Sequence, residues 1–209
     1  MSCLRLVLCA GTVLALGACS DTPPILDVND PEICLNRRDG ARYCIEVYEA
    51  SREDATETAG GSDEASFSRS RPGRVPWVNV TWAAARSACE LKGKRLCDLD
   101  EWVDACDGQV GDGGTVFTYG DARDESNMTC NTGSGAVEPT GARAMCTSGN
   151  ATFDQSGNVW EWTGNTRGAA TARGGAFRST QTHACENTLM NIDLDGESAE
   201  VGFRCCRDV

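Results

Sequence analysis

Thirteen cysteines against a single histidine constrain this chain more tightly than any other feature of its 209 residues. Three of them, Cys3, Cys9 and Cys19, stand in an N-terminal segment set apart by its apolar character. The other ten are Cys34, Cys44, Cys89, Cys97, Cys106, Cys130, Cys146, Cys185, Cys205 and Cys206. An even set in an exported chain reads first as up to five disulfides, which hold a fold together where regular structure is sparse. No zinc-type Cys-x-x-Cys pair is present, and one histidine rules out any multi-histidine metal centre.

Export is written at the N terminus. Arg5 supplies a short positive region, Leu6 to Leu16 is almost wholly apolar, and Leu16-Gly17-Ala18-Cys19 has the small-residue end of a secretory processing site. The pattern resembles a bacterial lipoprotein signal over residues 1–18, with Cys19 diacylated as the mature N terminus and Ser20 matching outer-membrane sorting. No other stretch is long and apolar enough to span a bilayer. The mature chain is therefore expected to be exported and lipid-anchored in the cell envelope, without a transmembrane segment. Residues 19–31 read as the lipidated end and a polar, proline-bearing tether. Residues 32–209 are long enough for one domain with a substantial core. A formal charge of −12, from 31 acidic against 19 basic residues, argues against nucleic acid as a partner.

Along the domain, Arg42 to Tyr48 has strand composition, and Cys34 and Cys44 are placed to close a small hairpin-like loop. Residues 51–74 read as a long exposed loop, and Pro76 to Val80 as an extended lead-in. A helix follows, capped by Thr81, running from Trp82 to Leu91 and ended by Gly93. A second helix starts at Asp98, whose spacing to Glu101 is that of a capping box, and places Leu99, Trp102, Val103 and Cys106 on one core-facing side. Cys89, Cys97 and Cys106 suggest a stapled helical pair of unassigned connectivity. Residues 108–149 are loop-rich, with Phe117 to Tyr119 as a possible strand and Cys130 and Cys146 as tethers. Arg173 to Phe177 reads as a turn into a strand, residues 191–200 as an acidic loop, and Val201 to Cys206 as a terminal strand.

The stretch Phe153 to Trp162 sets two carboxylates, a Ser156-Gly157-Asn158 turn and two tryptophans within ten residues. The turn suits a partly left-handed backbone that directs carbonyls inward. Asp154 and Glu161 could meet those carbonyls around a hard cation such as calcium, although the same spacing also suits a purely structural turn. Trp160 and Trp162 are expected in the core.

Six motifs in order carry a family resemblance: Pro76-Trp-Val-Asn-Val-Thr-Trp82, Gly93-Lys-Arg-Leu-Cys97, Glu101-Trp102, Gly157-Asn-Val-Trp-Glu-Trp162, Arg173-Gly-Gly175 and Gly202-Phe-Arg204. Across residues 42–207 the chain resembles the formylglycine-generating enzyme, or sulfatase-modifying factor, domain family. The resemblance implies an irregular α+β fold of the C-type-lectin-like kind, with short helices and strands, long loops and, here, many disulfides. It also implies a structural calcium held by Asp154, the backbone oxygens of Gly157 and Val159, and Glu161. Asn131 would belong to a second calcium region, with Gly141 where that region's aspartate would stand.

The implied catalytic equipment is incomplete. In the family, two copper-binding cysteines five residues apart follow Arg-Gly-Gly and a serine. Here Ala176 holds the serine position, Ser179 the first cysteine position and Ala184 the second, with Cys185 displaced by one. A hydroxyl does not replace a thiolate as a soft copper(I) ligand. Ser179 and His183 lie four apart without a nucleophile elbow, so a surface serine and an ordinary histidine are expected. Cys185 is expected in a disulfide, and Arg173 and Arg204 in buried or partly buried ion pairs. The expected function is a non-catalytic, calcium-stabilised binding or structural domain for an envelope protein or a glycan. A copper-dependent formylglycine-generating or related thiol oxidase is the alternative, with Cys185 and another cysteine brought together from elsewhere.

Overall fold

A computed structural model describes residues 30–37, 39–63, 67–108 and 114–209. The expected signal, the expected lipid anchor at Cys19 and most of the expected tether lie outside these residues. Among the described residues, no helix is long and apolar enough to cross a membrane.

The domain opens on a hairpin, β1 (Glu32–Asn36) and β2 (Arg42–Glu46), paired antiparallel with Cys34 directly opposite Cys44 and bonded to it. The chain's last strand, β9 (Cys205–Asp208), returns beside β2, and β5 (Arg95–Leu96) pairs with its far side, giving the order β1-β2-β9-β5. The described residues of the expected loop at 51–74 are mostly irregular. They are pinned, however, by a two-residue ladder between β3 (Ala50–Ser51) and β4 (Arg69–Ser70), so Ser51, Ser68 and Ser70 are buried rather than exposed.

Both helices form where their caps place them. The Thr81 side chain accepts the Ala84 N–H ahead of α1 (Trp82–Glu90), which stops at Leu91 before Gly93 turns left-handed. The Asp98–Glu101 capping box opens α2 (Leu99–Asp107), and Gly108 closes it at φ +75°. The two helices are not stapled to each other. Cys89 of α1 is bonded to Cys205 and Cys97 to Cys206, so two adjacent cysteines fasten α1 and β5 to the last strand. Cys106 of α2 reaches instead to Cys185.

A three-stranded sheet holds the aromatic core. β6 (Trp160–Thr163) pairs antiparallel with β7 (Thr171–Arg173) and parallel with β8 (Val201–Phe203). Trp77, Trp82, Trp160, Trp162, Phe177 and Phe203 fill one cluster, and Tyr43, Ile45, Trp102 and the Cys97–Cys206 and Cys106–Cys185 bridges a second. Buried indole N–H groups are paired: Trp82 donates to the Gly164 carbonyl and Trp162 to that of Val80, each at 2.9 Å. Two expected strands differ in detail. The C-terminal run is two strands in different sheets, broken at Arg204, whose side chain turns inward. Around Arg173 the strand precedes the turn, because Gly174 and Gly175, at φ +92° and +87°, leave β7 in a conformation that side chains resist. Phe117 to Tyr119 supplies only a single bridge, between Phe117 and Gly120.

A buried charge cluster joins the first sheet to the end of α1. The Glu46 carboxylate, fully buried, accepts from Lys92 at 2.7 Å, Lys94 at 3.1 Å and the Cys205 N–H at 2.9 Å. Burial alone would raise this carboxyl, but the two ammonium groups and the hydrogen bonds overcome it and hold it at about 2. The folded carboxyl thus titrates below the unfolded one. Its contribution is whole above about pH 4.5 and is lost as the pH falls towards 2, a change of about 3 kcal/mol. Urea unfolding between pH 5 and 2.5 should therefore lose more stability in the native protein than in Glu46→Gln, and equal slopes would contradict this assignment.

Candidate functional site

The candidate metal turn, 154–158, leads into β6 where Glu49, just ahead of β3, and Arg204, between β8 and β9, converge on it. Asp154, Gly157 and Asn158 adopt φ +66°, +130° and +58°, so the chain coils left-handed through the turn. A Cβ on Gly157 would sit 2.6 Å from the Asn131 carbonyl oxygen, which makes glycine obligatory there. Glu49, a residue not singled out from the sequence, pins this turn. Its carboxylate accepts from Asn158 Nδ2 at 2.6 Å and from the Val159 N–H at 3.2 Å. Nothing in the pattern around Tyr48-Glu49-Ala50 distinguishes such a glutamate from any strand-end acid.

Glu161 and Arg204 form a fully buried pair, with Arg204 Nε and Nη2 donating to the two carboxylate oxygens at 2.6 and 2.7 Å. Trp102 Nε1 adds a third donor at 2.7 Å. Asp154 Oδ2 accepts the Gly141 N–H at 2.6 Å. Burial pushes the Asp154 carboxyl up to about 7, with the Glu161 and Glu138 charges adding to it and the Gly141 N–H and Arg204 opposing. Glu49 is raised as well, by burial and then by the charges of Asp154 and Glu161. Three buried carboxylates therefore share the field of one buried guanidinium.

This donor set suits a hard, oxygen-seeking cation better than a soft one, since it offers carboxylates and turn carbonyls and no sulfur. Asp154, Glu161 and Glu49 do not bring three carboxylate oxygens within 4.8 Å of one another; among the described residues that spacing is met by Glu32, Cys34 and Cys44, and both cysteines are in a disulfide. A cation at the turn would thus draw the rest of its shell from backbone carbonyls. At the second region, Asn131 is buried and donates to the Ala136 carbonyl and Asn158 Oδ1, while its own Oδ1 has no partner among the described residues. Gly141 cannot carry the missing aspartate without moving Tyr48, because a Cβ on that glycine would stand 2.7 Å from the tyrosine ring.

The segment that holds the family's redox cysteines is closed. Cys185 is buried and bonded to Cys106, and all ten cysteines of the described residues are paired. Ser179 is not on the surface as expected. It is buried, and its Oγ accepts the Ala176 N–H at 2.9 Å. His183 meets the Ser179 carbonyl, not its hydroxyl: Nδ1 lies 2.9 Å from Ser179 O and Nε2 3.3 Å from the Tyr119 hydroxyl. That chain fits Nδ1–H donating and Nε2 accepting, and burial lowers the imidazole's proton affinity further. The arrangement orders the loop and provides no activated nucleophile.

The fold and site define a disulfide-rich, C-type-lectin-like α+β domain without a reactive thiol among its described residues. The chain belongs to the sulfatase-modifying factor enzyme 1-like domain family, whose model matches residues 35–209. It is 30% identical over 152 residues to inactive C-alpha-formylglycine-generating enzyme 2 of Bos taurus, covering 62% of this chain and 49% of that protein. The Mus musculus counterpart is 29% identical over 153 residues, 63% and 48% of the two chains. The chain thus spans about half the length of the curated relatives it matches. Among solved structures, Treponema denticola variable protein 1 superposes with a TM-score of 0.61 at 15% identity, covering 87% of this chain and 93% of that one. PvdO from Pseudomonas aeruginosa gives 0.58 at 15% identity, with 87% and 92% covered. These structural likenesses establish the fold.

Proposed function

We propose that this chain is a non-catalytic, calcium-stabilised recognition domain of a cell-envelope lipoprotein, anchored through Cys19 near the outer membrane, with a protein or glycan as its ligand. The observation that carries the non-catalytic reading is the catalytic segment itself, where Ser179 and Ala184 replace the thiols and Cys185 is bonded to Cys106. The relatives described as inactive formylglycine-generating enzymes fit the same reading. The copper-dependent alternative needs two thiolates, and no described cysteine is free to supply one.

The excess of buried carboxylate over guanidinium at Glu49, Asp154, Glu161 and Arg204 supports the calcium. Asp154, the carbonyls of Gly157 and Val159, and Glu161 are the residues to hold it, where it would balance that charge and fix the turn. The exposed residues of the described loop segments 52–63, 71–74, 114–129 and 191–200 are the surface on which a rigid scaffold of this kind would present its recognition residues.

Metal analysis and melting on one sample test this reading. One calcium per chain, no copper, and a melting temperature lowered by chelator are expected. Calcium at 100 times its dissociation constant contributes about 2.7 kcal/mol. Asp154→Ala should abolish the chelator effect. Identical melting with calcium and with chelator would remove the metal from the proposal, and retained copper would reopen the oxidase.

A further inference from the structure

We propose that the Cys34–Cys44 bridge is a site of thiol–disulfide exchange, the one disulfide of the folded domain open to attack by an external dithiol. Three independent features set it apart. The first is access, because exchange requires a thiolate to reach a disulfide sulfur. Cys34 is partly exposed, whereas Cys44, Cys89, Cys97, Cys106, Cys130, Cys146, Cys185, Cys205 and Cys206 are each at most 2% exposed.

The second is position. β1 ends the sheet order β1-β2-β9-β5, so Cys34 stands on a strand with one side unpaired. The Cys89, Cys97 and Cys106 bridges instead run through the core clusters. The third is span. This bridge joins residues 10 apart that already face each other across a five-residue hairpin ladder, so opening it leaves the ladder hydrogen bonds in place. The Cys89–Cys205, Cys97–Cys206 and Cys106–Cys185 bridges close spans of 116, 109 and 79 residues.

The chemistry balances with a dithiol as reductant. Its thiolate attacks Cys34 Sγ, forming a mixed disulfide and expelling Cys44 Sγ as a thiolate that takes a proton from solvent. The second thiolate of the dithiol then attacks its own bound sulfur and releases Cys34. The dithiol ends as a disulfide, and the protein gains two thiols. Arg207 stands opposite Cys44 on β9 with its guanidinium paired to Glu32, whose carboxylate lies within 4.8 Å of both sulfurs, so the charge beside the bridge is a neutralised pair and access rather than electrostatic activation sets the exchange.

Titrating the native oxidised protein with dithiothreitol, trapping with an alkylating agent and mapping peptides by mass spectrometry tests the assignment. Cys34 and Cys44 should be alkylated together, at least about tenfold faster than any other pair, while the fold's circular dichroism is unchanged. The Cys130–Cys146 bridge is the internal control, since it spans only 16 residues but is buried. Its reduction at the same rate would show that short span rather than access decides, and would overturn the proposal. So would alkylation of all ten cysteines in one step. A Cys34→Ser/Cys44→Ser variant should still melt in one cooperative transition and lose the fast phase. A fast phase that persists in this variant would assign it elsewhere.

Discussion

Replacing Arg204 with methionine should lower the unfolding free energy by about 3–5 kcal/mol, because it strands the Glu161 carboxylate in a dry interior. Both side chains are fully buried. Besides Glu161, the guanidinium donates to the carbonyls of Glu46, Val47 and Phe153, tying β2, the lead-in to the turn at 154–158 and the break between β8 and β9 at one point. Methionine fills much of the volume but satisfies none of these oxygens, so the cost is set by desolvated acceptors rather than by a cavity. The cycle with Glu161→Gln isolates the charge. The double variant should be more stable than the sum of the single losses, with a coupling of about 1–3 kcal/mol. It should still fall short of the native protein, because the three carbonyls remain unpaired. Denaturant unfolding at one fixed calcium concentration measures all four species. A loss under about 1 kcal/mol for Arg204→Met would mean that water or Trp102 already satisfies Glu161, and that Arg204 does not organise the junction.

The same residue shows why some of this fold is legible in the sequence and some is not. Caps and helix faces are local, so Thr81, Asp98 and Glu101 mark α1 and α2 to within a residue. The Cys34–Cys44 hairpin is also readable, since ten residues leave few other ways to close it. Connectivity between distant cysteines carries no local signature. Cys89, Cys97 and Cys106 suggest a helix–helix staple until the return of β9 gives two of them nearer partners in Cys205 and Cys206. Val201 to Cys206 reads as one strand because alternation does not report which sheet each half joins. A buried arginine at 204 splits it by reaching sideways for Glu161. At the candidate metal turn, Asp154 and Glu161 stand out beside glycine and tryptophan, whereas Glu49 is silent. Its role depends on partners more than a hundred residues away in sequence, at Asn158 and Val159.

Those distant closures also set the second large effect. Replacing Cys89 and Cys205 together with alanine should cost about 4–5 kcal/mol, the chain entropy that a closed span of 116 residues removes from the unfolded state. Removing Cys34–Cys44, whose span is 10, should cost about 2–3 kcal/mol on the same basis. The native side of the balance makes the difference larger. Cys89 and Cys205 are fully buried in the cluster with Leu96, Trp82 and Phe203, so alanine also leaves a void there, while Cys34 is partly exposed. Loss of the long bridge further unfastens the end of α1 from β9, the strand through which β5 joins the first sheet. Melting of the two double variants against the native protein measures the order. If the hairpin variant were the less stable, the long bridges would be holding little unfolded-state entropy, and the stability of the domain would rest on its aromatic core instead.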